Sequence, residues 1–283
     1  MDVDTLTVLR ALKKNGHHKQ TLRLLASKHT KQIIFSSNAF YFIDKKGCHH
    51  ILSGLLPVLK RNFWPNTDIN SIMRKPSKKG ITKGKRGTTQ EKKKVNTTTV
   101  GKGRFFGSIQ GTRIHAELED FILLDDKNFK KKHPALHPWT KRILEYVICQ
   151  MKWFPIQCEY PVFDEDLRMA TKMDLMCVDP ATGELRFIEL KTGYKATFEN
   201  SDGRMSKCLR FMPNSPLNWA NIQLTATVIM LLRQIPSINI DQTQSFVIRI
   251  DDDDIYAYHI DNVFIKAMNP RLLNNIDMNK AAR

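Results

Sequence analysis

The chain has 283 residues, 41% of them hydrophobic and 15 of them Phe, enough for one large domain or two small ones with a proper core. A net charge of +17 and a pI near 9.7 point to a polyanionic partner, most often nucleic acid. No apolar run reaches the roughly 18 residues that a membrane-spanning helix needs. The five cysteines are scattered and none has zinc-ligand spacing, which argues against structural zinc and for a reducing compartment.

Residues 1–73 read as a small, mainly helical region. Val3, Leu6, Val8, Leu9 and Leu12 suggest one helix, and Leu22, Leu24, Leu25 and Ala26 a second. The stretch 35–43 is apolar and aromatic, open to strand or helix, and 52–59 is broken by Pro57. The pairs His17-His18 and His49-His50 point apart on any regular element, so they read as surface residues. Residues 74–104 hold twelve Lys/Arg and one acid, Glu91, a net of +11 that leaves only +6 for the rest. This composition reads as a disordered linker. Lys78, Lys79, Lys83, Lys85 and Arg86 form either a nuclear-localisation patch or an arm on DNA phosphates, with a solvated spacer as the alternative. The Met-Asp-Val-Asp start carries neither an apolar nor an Arg-rich presequence. A nuclear location is therefore expected, in a eukaryote or a virus replicating there, with mitochondria as the alternative.

Order resumes at Phe105 and opens a third region, 105–283. Ile114, Leu118, Phe121 and Ile122 make a helical stripe over 107–125. His115 lies beside the stripe with Glu119 one turn on, an ordinary core histidine or an oriented metal ligand. A basic loop over 127–138 and a second helical stripe from Leu136 to Met151 follow. Residues 156–163 read as a strand, with Glu159 on the face opposite Cys158 and Tyr160, and Pro161 marking an edge or bulge. Beyond a hairpin, 192–216 is a long polar loop bearing Lys195, Arg204, Lys207 and Arg210. Next come an apolar helix over 217–234 with Gln223 near its start and a second hairpin, 245–250 and 255–260. That hairpin turns through Asp251–Asp254, read as a solvated turn. A closing helix occupies 261–268.

The first hairpin, 173–178 and 185–191, organises the region. Its turn is Asp-Pro-Ala-Thr-Gly-Glu. A four-residue loop over 180–183 pairs Asp179 with Glu184, Val178 with Leu185, and so on back to Asp174 opposite Glu189. Directly opposed residues lie about 4.5–5.5 Å apart at Cβ, and Lys191 shares the face of Glu189. Opposed carboxylates repel unless a divalent cation sits between them. The alternative is a solvent-facing ion-pair cluster.

Asp174 followed by Glu189-Leu190-Lys191 resembles the D…(D/E)-x-K core of the PD-(D/E)XK nuclease superfamily. The helix Gly111-Thr-Arg-Ile-His115-Ala-Glu-Leu-Glu119 resembles the G-x-x-x-H…E helix of its RecB-like exonuclease branch. Glu159 and Gln223 stand where that branch often carries a Glu and a Gln. Thr171 and Thr227 replace a usual Gly and Tyr.

The resemblance implies an α/β fold with a restriction-endonuclease-like core, a central mixed sheet flanked by helices. It implies that Asp174, Glu189, the Leu190 carbonyl and His115 bind Mg²⁺ or Mn²⁺, that Lys191 positions or activates water, and that Gln223 orients Lys191 or the phosphate. Glu159 and Glu119 would support the site. The four-cysteine set of iron–sulfur members is missing, so no iron–sulfur cluster is implied. The expected function is a metal-dependent deoxyribonuclease of replication, recombination or repair, an exonuclease more than an endonuclease. It would work on DNA with a replication or recombination protein as a further partner, and without a membrane. A structure-specific endonuclease and a non-catalytic DNA-binding protein with a nuclease-like fold are the alternatives.

Overall fold

The structure is a computed structural model that describes residues 33–36, 39–43, 49–64, 98–124, 126–194 and 197–277. The helices expected over 3–12 and 22–26, Cys48, and the basic residues Lys78, Lys79, Lys83, Lys85, Arg86 and Lys195 lie outside them.

Among the described residues, eight strands join in one mixed sheet flanked by helices. β1 (Ile33–Ser36), β2 (Ala39–Ile43) and β3 (His49–Gly54) are antiparallel neighbours. β4 (Phe154–Asp164) runs along one edge of β5 (Met169–Val178). β5 also pairs with β3, in parallel at Ser53–Met169 and Gly54–Ala170, and with β6 (Leu185–Thr192) at its other end. β7 (Thr243–Ile250) is parallel to β6, and β8 (Ile255–Ile260) closes the sheet antiparallel to β7.

The N-terminal region is thus not mainly helical where it is described. Ile-Ile-Phe-Ser and Ala-Phe-Tyr-Phe-Ile are β-branched and aromatic, suited to a pleated, half-buried surface. Phe42 stacks on Phe163 of β4 with ring centroids 6.2 Å apart. Phe40 and Phe42 pack on a small buried cluster of Leu52, Phe163 and Ala170. These strands extend the sheet of the C-terminal region. Among the described residues of this region only α1 (Leu55–Phe63) is helical, burying Leu55, Val58, Leu59 and Phe63.

The basic linker also ends earlier than its composition suggests. α2 spans Thr98–Leu123, so its backbone is helical from within the 74–104 segment. Extending a nucleated helix costs little per residue, and the Ile114–Leu118 stripe supplies the nucleus. The basic loop expected over 127–138 is largely a helix, α3 (Asp126–Lys132). Buried Phe129 packs edge-on against Phe121 at 5.4 Å and holds it to α2. The second stripe becomes α4 (Pro138–Leu144) and a π-helical turn, Glu145–Gln150.

α5 (Pro216–Gln234) is buried on nearly every side, as its apolar sequence requires. Ser215 caps it, accepting from the Asn218 amide at 3.2 Å. It crosses β4, β5, β6 and β7, while α2 packs on β4 and β6. α6 (Asn262–Leu272) closes the chain with Asp261 as its cap. The turn between β7 and β8 is not fully solvated: Asp251 is buried, pairs with Arg249 at 3.0 Å, and accepts the Asp253 and Asp254 amides.

Candidate metal centre

The hairpin turn takes the register that its sequence predicts. The Asp179 amide donates to Glu184 O at 2.9 Å, and Gly183 sits at φ 78, where glycine is least strained. Pairing runs from Val178–Leu185 to Leu175–Ile188. It stops one step before Asp174 and Glu189, where side chains take over: Asp174 Oδ2 accepts the Leu190 amide at 2.7 Å. The carboxylate of β5 thus replaces a ladder bond to β6 and is fixed against it.

Glu159 of β4 falls opposite Asp174, bracketed by the pairs Cys158–Leu175 and Tyr160–Met173. Its φ is 54, a left-handed backbone inside a strand. Such a conformation costs a non-glycine residue on the order of 1–3 kcal/mol and persists only where contacts over-determine it. Here the contacts are ionic. Glu159 Oε1 lies 2.5 Å from His115 Nδ1, and Oε2 lies 3.2 Å from Lys172 Nζ. His115 Nδ1 is also 3.8 Å from Asp174 Oδ1. One ligand atom from each of His115, Glu159 and Asp174 falls within 4.8 Å of the other two.

α2 brings His115 to this point. Ile114 and Leu118 anchor its apolar side, and buried Glu117 binds Arg113 Nε at 2.7 Å, the His137 amide at 3.0 Å and Thr140 Oγ1 at 2.5 Å. Gly111 lets the helix close on β6, since an added Cβ would stand 3.2 Å from Thr192 Oγ1. Glu119, one turn past His115, is exposed and stays out of the cluster's hydrogen bonds and ion pairs.

On the neighbouring strand, Lys191 Nζ donates to Glu189 Oε1 at 2.5 Å and to Gln223 Oε1 at 3.3 Å. Glu189 Oε2 is buried without a hydrogen-bond partner. Burial, reinforced by the Asp174 charge, pushes the Glu189 carboxyl up to about 8 against the pull of Lys191. Burial likewise raises Asp174. Burial opposes charge on His115 and Lys191, yet the surrounding carboxylates outweigh it: His115 rises to about 9, and Lys191 moves above its ordinary value. The centre gathers one imidazole and three carboxylates, with Lys172 paired to Glu159 and Lys191 to Glu189.

Two lysines at the site have no counterpart in the sequence reading. Lys172 lies two residues before Asp174, so the period of the strand pointed to it. Lys60, on α1, is held below the ordinary lysine range by burial and by the nearby Lys191 charge. Nothing local in the sequence connects α1 to the hairpin.

The loop expected over 192–216 is packed onto the fold where it is described. Phe198, Met205, Leu209 and Met212 are buried, and Arg204 bridges to Pro213. Lys207 Nζ is tied to Asn62 Oδ1 at 2.6 Å and Asn275 O at 3.1 Å, a structural staple. Arg204 and Arg210 are exposed.

No family model matches the chain, and no curated protein matches it by sequence. What the centre can do follows from its donors and their geometry.

Proposed function

We propose that the chain is a metal-dependent deoxyribonuclease with a restriction-endonuclease-like core, acting as an exonuclease. The observation that supports it most is the Glu189 carboxylate. It is buried beside Asp174, and one of its oxygens has no hydrogen-bond partner. Lys191 pairs with the other oxygen, yet burial and the Asp174 charge still make the ionised carboxylate costly, and a cation would offset that cost.

Carboxylate donors suit Mg²⁺ or Mn²⁺, and one imidazole among them favours Mn²⁺, the transition ion of the two. His115, Glu159 and Asp174 would hold the ion, with Glu189 and the Leu190 carbonyl as further ligands by resemblance. A bound divalent ion neutralises charge on a phosphoryl oxygen and makes a bound water more acidic. Lys191 directs its ammonium to the same centre, where it would stabilise the negative charge growing on the scissile phosphate. Gln223 and Glu189 fix that ammonium in place. Lys172 pairs with Glu159 and would help to fix its carboxylate.

The test is degradation of end-labelled linear and closed circular DNA in Mg²⁺, Mn²⁺ and EDTA, with Lys191→Ala and Asp174→Ala alongside. Metal-dependent loss of linear DNA alone, abolished in both variants while their melting stays cooperative, is the expected result. Cutting of circles moves the reading to an endonuclease. Binding of DNA by all three proteins with no cleavage of DNA or RNA by any refutes it.

A further inference from the structure

A ledge beside the centre is built from two segments far apart in sequence. The end of α1 and the turn 204–213 are fastened together: the Ser206 amide donates to Phe63 O at 2.8 Å, and the Lys207 ammonium lies 5.6 Å from the Phe63 ring centroid. The turn itself is closed by Met205 N to Met212 O at 3.1 Å and Arg204 to Phe211 O at 2.5 Å. Rigid backbone therefore presents Phe211, whose side chain nevertheless stands in solvent, 53% exposed. A single exposed phenyl ring is ordinary on a surface; beside exposed cations it also offers a face on which a ligand ring can stack.

The ledge is cationic. Lys60, Arg204 and Arg210 are exposed, and none of the three forms an ion pair with a carboxylate among the described residues. Lys60 Nζ rests 5.7 Å over the Trp64 ring, and Trp64 stacks on Trp219 with centroids 5.1 Å apart. Trp219 lies one helical turn before Gln223, on the same side of α5. Gln223 in turn accepts from Lys191. Lys60 and Lys191 are also close enough for their charges to act on each other, which sets this end of the ledge near the proposed centre.

We propose that this ledge is a subsite for single-stranded DNA. Lys60 and Arg210 hold backbone phosphates, and Phe211 stacks on an unpaired base, leading the strand to Lys191. A single strand is the matching ligand because an exposed aromatic face can stack only on a base whose own face is free. Every base has one, so recognition is indifferent to sequence. The direction of the strand depends on the nuclease reading; binding does not.

Binding is therefore measured without cleavage, in EDTA, by fluorescence anisotropy of a labelled single strand and a closed circular duplex competitor. Phe211→Ala should weaken single-strand binding about fivefold or more and leave duplex binding unchanged. Lys60→Ala should weaken it and lower the slope of log affinity against log salt by about 0.7, the share of one phosphate on a single strand. Both side chains are exposed, and thermal melting checks that each variant is folded. Wild-type affinity in both variants, or equal loss on single strand and duplex, overturns the subsite while leaving the nuclease reading to its own cleavage test. Loss of single-strand binding in a chain that proves unable to cleave supports the subsite and removes the catalytic reading.

Discussion

Replacing Glu189 by Gln removes a charge that the metal-free fold holds at a cost. The side chain is 1% exposed, so solvent screens little of that cost. Its carboxyl is raised by burial and by Asp174 from 4.5 to about 8. A carboxyl with a raised folded pKa binds its proton more tightly in the folded than in the unfolded chain. The metal-free wild type therefore loses stability as pH climbs above 4.5, and the loss levels off near 8. At about 1.4 kcal/mol per pH unit, the penalty gained between pH 5 and pH 7 is on the order of 2–3 kcal/mol. The amide of Glu189→Gln does not titrate. Urea unfolding in EDTA at the two pH values should show the variant gaining that amount on wild type. On the proposed metal reading, in which Glu189 is a further ligand, saturating Mn²⁺ should stabilise wild type strongly and the variant less. Parallel pH curves for the two proteins in EDTA, or equal stabilisation of both by Mn²⁺, would refute the argument.

At Glu159 the left-handed backbone favours glycine, so Glu159→Gly should be about 1 kcal/mol more stable than Glu159→Ala, both having lost the carboxylate; chemical denaturation decides, and an Ala variant as stable as the Gly variant removes the strain. Gly111→Leu should force α2 away from Thr192, displacing His115 and reducing cleavage while the chain still melts cooperatively, whereas retained activity means that the close approach is dispensable. His115, raised to about 9, must lose its proton before it can bind a metal. Mn²⁺ affinity should therefore rise with pH up to about that value, with proton release seen as a buffer-dependent heat in calorimetry. A His115→Ala variant with the same pH dependence would assign the proton elsewhere.

Local signals in the chain carried much of this architecture. The register of the first hairpin was legible because a turn of Pro, Thr and Gly between two apolar runs leaves few loop lengths, and each loop length sets one pairing. The stripe around Ile114 and the apolar run of α5 likewise announced helices, since burial of one face or all faces leaves a period in the residues. The run 35–43 stays open to strand or helix in the sequence because short aromatic runs suit either element, and β5, which ties these strands into the sheet through β3, lies far along the chain.

The sequence by itself therefore determined the alternation that sets Asp174, Glu189 and Lys191 on one face, because strand geometry acts over neighbouring residues. Only the tertiary structure decided what meets that face. His115 reaches it because Gly111 lets α2 close on β6, and Glu159 turns toward it through a backbone conformation that its residue type disfavours. Lys60 arrives on a helix whose place is set by packing rather than by chain proximity. Contacts of this kind depend on how whole elements exclude water from their shared surfaces, and no short stretch of residues encodes that.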